Sequence, residues 1–185
     1  MTTTVSHDLY YRKMDHVFDM LDVTKDAHLA EDDFAELAAG ISAIVPGQHN
    51  QQKIAAFRDA MLGWFHALLL AQGLPMDGSM EREQFRAAMV KVILGEGRYV
   101  EVFEPVAVTW FRLYDADDSN SLSLEEFQVL SRALQISEAD TEAGFCKFDF
   151  NGDGELSEEE FLTVARQFYA GEDPDAPGNW LYGPF

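Results

Sequence analysis

Apolar side chains recur along this chain at three- and four-residue steps, and strict alternation of apolar and polar residues is scarce. Tyr10, Met14, Val17, Phe18 and Leu21 form one stripe. Phe34, Leu37, Ala38 and Ile41 form a second, Phe57, Met61, Trp64 and Leu68 a third, and Phe85, Met89 and Val92 a fourth. The spacing returns in Val106, Trp110 and Leu113, in Phe127, Leu130 and Leu134, in the shorter run Ala143 to Phe148, and in Phe161, Val164 and Phe168. A helix of about 3.6 residues per turn collects such positions on one side. The pattern therefore predicts eight helices and an all-α fold.

Between consecutive pairs of these helices lie four acidic or glycine-bearing segments, so the chain reads as a helix–loop–helix unit used four times. Phe18, Phe111 and Phe145 each stand four residues before a loop begins, and Phe34, Phe85, Phe127 and Phe161 each follow its twelfth residue. The eighth position is always apolar: Leu29, Met80, Leu122 and Leu156. Those residues predict short antiparallel bridges between paired loops, Leu29 facing Met80 in one pair. Gly95-Glu96-Gly97 marks a flexible break. It divides an N-terminal pair of units, 1–94, from a C-terminal pair, 99–170. The remainder, 171–185, is too rich in proline and glycine for a helix. It still carries Trp180, Leu181, Tyr182 and Phe185, which predicts that it folds back over a groove.

The loops have the chemistry of a hard-cation site. Calcium takes about six to eight oxygens, and a twelve-residue loop supplies them from positions 1, 3, 5, 7, 9 and 12, with a sharp turn at position 6. The loop Asp149 to Glu160, DFNGDGELSEEE, meets every requirement. Asp149, Asn151 and Asp153 offer side chains, Gly154 the turn, Glu155 its carbonyl, Ser157 a water, and Glu160 the closing carboxylate. The loop Asp115 to Glu126 offers Asp115, Asp117, Ser119, the Ser121 carbonyl, a water near Ser123, and Glu126, with Asn120 at the turn, a residue that tolerates the left-handed conformation. In the loop Asp22 to Asp33 the candidates are Asp22, Thr24, Asp26, the His28 carbonyl and Asp33. It is weaker: Ala27 must take a positive φ, Lys25 adds a cation, and Asp33 is shorter than glutamate. That sphere suits a third calcium or an octahedral Mg²⁺. The loop Gly73 to Gln84 has lost its ligands and is expected to bind no metal.

Composition agrees with a cation partner. The chain has 185 residues, 47% of them hydrophobic, with 14 phenylalanines, which suits a packed interior. Its formal net charge is −20, from 33 Asp and Glu against 13 Lys and Arg. Such a surface repels nucleic acid and anionic membranes. The longest apolar run, Met61 to Ala71, is short for a membrane span. The opening residues lack a signal-peptide core, and the lone Cys146 cannot form an intrachain disulfide, so a cytoplasmic location is expected. Cys146 sits on an apolar stripe and is expected to be a buried, unreactive thiol. Phosphate-binding glycine loops and zinc-ligand spacings are missing, so no enzyme activity is expected.

The layout resembles the sarcoplasmic calcium-binding proteins and their calerythrin-like bacterial relatives. The resemblance covers roughly Tyr10 to Tyr169. It rests on Asp33 closing the first loop, on Asp77, Gly78 and Ser79 at the centre of the lost second loop, and on two complete C-terminal loops. Thr24 and Ala27 depart from the family's better first loops. The resemblance implies a compact monomeric globule, with both pairs on one core, that buffers calcium or modulates its signals. A calcium sensor that exposes an apolar groove to a protein partner, of a kind the sequence does not specify, is the alternative. A cousin group, the coelenterate photoproteins and luciferin-binding proteins, implies a carrier of an apolar ligand, whose cavity Trp64, Trp110, Trp180 and Tyr182 would line. Ordinary core packing is the expected role of those rings, because photoproteins need a late histidine and the last here is His66; His16 and His66 are expected to be surface or core residues.

Overall fold

The computed structural model describes residues 7–44, 48–134 and 136–184, and it turns the stripes into helices. The order is α1 (Asp8–Leu21), β1 (His28–Leu29), α2 (Glu31–Ile44), α3 (Gln48–Gln72), β2 (Met80–Glu81), α4 (Arg82–Met89), α5 (Tyr99–Val102), α6 (Glu104–Tyr114), β3 (Ser121–Leu122), α7 (Leu124–Ala133), α8 (Glu138–Phe148), β4 (Leu156–Ser157) and α9 (Glu158–Ala170). Acidic residues crowd the first turns of α2 and α9. Carboxylates are favoured there by the partial positive charge of the helix start. Ser157 and Glu160 form a reciprocal capping box at α9, and the Ser137 hydroxyl accepts the Asp140 N–H at 3.1 Å at α8.

The two-residue strands pair antiparallel, β1 with β2 and β3 with β4. Leu29 lies opposite Met80 and Leu122 opposite Leu156, and all four side chains are fully buried. The eighth positions thus meet as their spacing predicted. Each bridge satisfies backbone groups at the centre of two loops and ties those loops together.

Two features depart from the pattern. After Met89 the chain continues in a wider π-helical turn, Val90–Gly95, and then makes the short α5 that no stripe announced. The Glu96 and Arg98 N–H groups bond back to the Lys91 and Val92 carbonyls at 2.9 and 3.1 Å, and Gly97 takes the positive φ of 64° that lets the chain turn. Helix α3, with 25 residues, also outruns its apolar run. Its Asn50–Gln72 stretch is long and apolar enough to cross a membrane by length and composition alone. The reading that stopped at Ala71 missed this because isolated polar residues interrupt the run without interrupting the helix. Here α3 is the central beam: Phe57, Met61, Trp64, Phe65, Leu68 and Leu69 are all buried.

One aromatic cluster joins the two halves. The Trp64 ring lies edge-on to Phe85 and Phe103, with centroids 5.9 and 5.2 Å away, and Phe103 lies 3.8 Å from Tyr169 of α9. Phe57 of α3 meets Trp110 of α6 at 4.5 Å. Polar bonds add to this joint. Tyr10 donates to the Tyr169 carbonyl at 3.0 Å, and the fully buried Lys13 donates to the Gly171 carbonyl at 3.0 Å, capping α9 from α1. Burial pushes the Lys13 ammonium down to about 8.

The segment after α9 packs against α8 and α9. Pro177–Trp180 form a 3₁₀ turn, the Gly178 N–H donates to the Gln167 side chain at 2.8 Å, and a Cβ at Gly178 would sit 2.4 Å from the Val164 carbonyl. Tyr182 turns inward, its hydroxyl 2.6 Å from that of Tyr169, and Leu181 is buried. Phe185 and the Leu130 side chain, both assigned to apolar contacts by the pattern, lie outside the described residues. Cys146 corrects an expectation: its thiol is exposed. It follows Phe145 and precedes Phe148, both buried, and that offset of one residue from the stripe rotates it outward.

Candidate metal centres

Loops one, three and four share one internal scaffold. The first-position carboxylate accepts the N–H groups of positions 5 and 6 in all three. Asp22 accepts from Asp26 and Ala27 at 3.2 and 3.1 Å, and Asp115 from Ser119 and Asn120 at 2.9 and 3.1 Å. Asp149 accepts from Asp153 and Gly154 at 3.2 and 2.9 Å. The twelfth-position carboxylate straps the two ends of its loop. Glu126 accepts from the Ala116 and Ser123 N–H groups, both at 2.9 Å. Glu160 accepts from the Phe150 and Ser157 N–H groups at 3.0 and 2.9 Å. Both glutamates are already folded over their loops, so no large swing is needed to bring them in.

This scaffold imposes a backbone requirement that the pattern only half supplied. Position 6 takes a positive φ as expected: 67° at Ala27, 64° at Asn120 and 88° at Gly154. Position 4 takes one as well, 60° at Lys25, 60° at Asp118 and 75° at Gly152. A side chain in that region costs about 1–2 kcal/mol, and less for Asn or Asp. The fourth loop, with glycine at both positions, is therefore the least strained and the first loop the most.

The charge in the third loop is concentrated. Carboxylate oxygens of Asp115, Asp117 and Glu126 lie within 4.8 Å of one another, the one such set among the described residues. Side-chain and backbone hydrogen bonds from Ser119 hold Asp117 below the usual carboxylate range, so it stays charged. Three negative charges at that separation repel one another strongly, and a cation between them relieves the repulsion. The Ser119 hydroxyl also lies 3.0 Å from the Ser121 carbonyl. In the fourth loop Asn151 accepts from Asp153 N–H at 2.8 Å and Asp153 from Glu155 N–H at 3.0 Å, which curls positions 3, 5 and 7 around one centre. The Glu155 carboxylate faces away, accepting from the Ser121 hydroxyl at 2.6 Å across the paired loops.

Comparison with known proteins agrees with this geometry. Residues 106–166, from α6 into α9, match the EF-hand domain pair. These residues form an EF-hand pair. Calerythrin of Saccharopolyspora erythraea is 29% identical over 173 residues, covering 92% of this chain and 96% of calerythrin. The luciferin-binding protein of Renilla reniformis is 26% identical over 183 residues, 97% of each chain. The calcium-loaded apo coelenterazine-binding protein of Renilla muelleri has the same fold, with a TM-score of 0.71, 24% identity, and coverage of 99% of this chain and 100% of its own.

The N-terminal EF-hand loops are less complete. In the first, Asp33 is only 1% exposed and straps its loop from a shorter side chain, accepting from the Thr24 N–H and hydroxyl and from the Ala30 N–H, all at 3.0 Å. The Thr24 hydroxyl thereby directs its proton to Asp33 and keeps its oxygen lone pairs. Lys25 is turned outward onto the Asp19 carbonyl at 2.7 Å, and the His28 ring bonds the Asp26 carbonyl at 3.1 Å. In the second, the Gly78 N–H closes a tight turn on the Pro75 carbonyl at 3.0 Å, and Glu81 with Gln84 caps α4. That loop is a structural partner for β1.

Among the EF-hand helices lies a cavity of about 40 Å³, lined by Met61, Trp64, Phe103, Trp110, Tyr169 and Tyr182 among others. The buried Trp64 indole N–H has no hydrogen-bond partner among the described residues. Trp180, which the photoprotein-like alternative would place with these rings, is not in the lining. The Gly178 turn leaves it outside, beneath Lys147, whose Nζ is 4.9 Å from the ring. Five buried tyrosine hydroxyls, Tyr10, Tyr99, Tyr114, Tyr169 and Tyr182, are all pushed up by burial, Tyr182 to about 12. His16 is half-buried, its ring 3.3 Å from the Tyr182 carbonyl, and His66 bonds Glu31 at 2.9 Å.

Proposed function

We propose that this protein binds calcium at its third and fourth loops and acts as a calcium buffer or signal modulator of the cytoplasm. The observation that carries the reading is the gathering of Asp115, Asp117 and Glu126 within 4.8 Å, on a loop whose backbone is already closed. The ligands would be Asp115, Asp117, Ser119, the Ser121 carbonyl and Glu126 in one loop. In the other they would be Asp149, Asn151, Asp153, the Glu155 carbonyl and Glu160. The donor set is all oxygen, which suits a hard divalent cation. A bound ion would supply the positive charge that offsets the repulsion among these carboxylates. The first loop, with Asp22, Thr24, Asp26, the His28 carbonyl and Asp33, is a weaker third site open to Mg²⁺. The chain acts as two EF-hand units, 1–94 and 99–170, with the 171–185 tail as a cover. It works as a monomer without catalytic function.

Preformed loops and a docked tail favour a buffer, because filling such loops leaves little to rearrange. A second reading rests on a groove of about 510 Å³ beside α1 and α2, lined by Met20, Leu37, Ile41, Ile44, Trp110 and Leu134 among others. Met20, Leu37, Trp110 and Leu134 also line the inner cavity, so the two are adjacent. A guest the size of a luciferin does not fit about 40 Å³, which holds one to a few waters. A carrier or sensor role therefore requires the groove to open.

Calorimetric titration of chelator-stripped protein, repeated with excess Mg²⁺ and with a hydrophobic dye present, tests both readings. Two tight calcium sites and a flat dye signal are expected. No calcium uptake would overturn the proposal, and a large calcium-driven rise in dye fluorescence would move the assignment to the sensor or carrier.

A further inference from the structure

The third loop is not made by the C-terminal half alone. Lys53 stands on α3, one turn before Phe57, on the side that packs against α6. Its Nζ donates to the Asp115 carbonyl at 2.5 Å and pairs with the Asp118 carboxylate at 2.7 Å. The side chain is only 12% exposed, against 58% for its partner. Asp115 ends α6 and opens the loop, so the ammonium sits on the helix's negative end, where a cation is favoured. Asp118 is the fourth loop position and lies outside the ligand set. Its carboxylate would otherwise add to the negative field that draws a cation in. The equivalent residue of the fourth loop is Gly152, which brings neither a charge to neutralise nor a side chain to strain.

We propose that Lys53 is a positioning residue that sets the calcium affinity of the third loop from the N-terminal half of the protein. Two effects compete. The bonds to Asp115 and Asp118 help hold the loop closed, which favours filling. The buried-side positive charge repels an arriving divalent ion and cancels the Asp118 charge, which disfavours it. The loop is already closed by its own bonds to Asp115 and Glu126, so the holding effect is the smaller of the two, whereas charge interactions at a few ångströms in a half-buried setting are several times larger than in water. The charge therefore decides the sign: Lys53 detunes the third loop relative to the fourth. An acidic loop with no such brake would bind sooner and more tightly.

This inference rests on the calcium reading, and the experiment separates the two. Calcium titrations are run on the full chain carrying Glu160→Gln, so that the third loop is the strong site left, with and without Lys53→Met. Lys53→Met keeps the apolar stem and is expected to tighten third-loop binding about fivefold. It is also expected to make the affinity fall more steeply with added KCl, since an uncancelled negative loop is more strongly screened. Lys53→Arg keeps the charge and should stay within about twofold of the parent, and Lys53→Gln should follow Lys53→Met. Far-UV circular dichroism confirms that each variant is folded. Unchanged or weaker binding in both Lys53→Met and Lys53→Gln, with the parent still taking up calcium, overturns this proposal alone. No uptake by the Glu160→Gln parent overturns the third-loop reading and this proposal with it.

Discussion

The first and fourth loops are the same scaffold built from different side chains. In both, the opening aspartate accepts the N–H groups of positions 5 and 6, and the closing carboxylate ties the ninth position back across the loop. The fourth reaches this with glycine at both left-handed positions and a glutamate that spans to position 2. The first places Lys25 and Ala27 in the left-handed region and closes on an aspartate that reaches position 3 and accepts the Thr24 hydroxyl proton. Hydrogen-bonded loop shape is therefore cheap for the chain to keep. What separates the two loops is strain at two residues and one methylene at position 12.

Three tests bear on that comparison, ordered by expected size. Glu160→Gln removes the closing charge of the better loop while leaving its amide to bond Ser157. It should abolish one tight site, weakening it on the order of a hundredfold, or about 3 kcal/mol, by calorimetry. A loss of a tenfold or less would mean that the strap matters more for shape than for charge. Next, calcium should raise the melting temperature. At a hundredfold excess over Kd each filled loop adds about 2.7 kcal/mol, which is roughly 5–10 °C for a chain of this size. Chelation should remove that gain. The third and smallest effect is Ala27→Gly, which relieves about 1 kcal/mol of left-handed strain and should tighten the first loop about fivefold. An unchanged first-loop affinity would show that the turn is held with or without the ion, leaving Asp33 as the source of weakness.

Much of this was legible in the residues. The helices α1, α2, α3, α4, α6, α7, α8 and α9 fall on the eight stripes, because a buried helix face demands apolar residues at fixed steps. The bridges Leu29–Met80 and Leu122–Leu156 follow from a single apolar position repeated in each loop. One misreading came where one residue of offset mattered: Cys146 borders the stripe and points outward.

By itself the sequence determined the four loops, the oxygen donors they carry and the helices that flank them, since each of these depends on residues close together in the chain. Only the tertiary structure decided which distant side chains reach the loops and helix ends. Lys53 reaches Asp118 across sixty-odd residues, and Lys13 of α1 caps α9. Such contacts depend on how helices stack, and packing of apolar stripes constrains their polar neighbours without leaving a local trace.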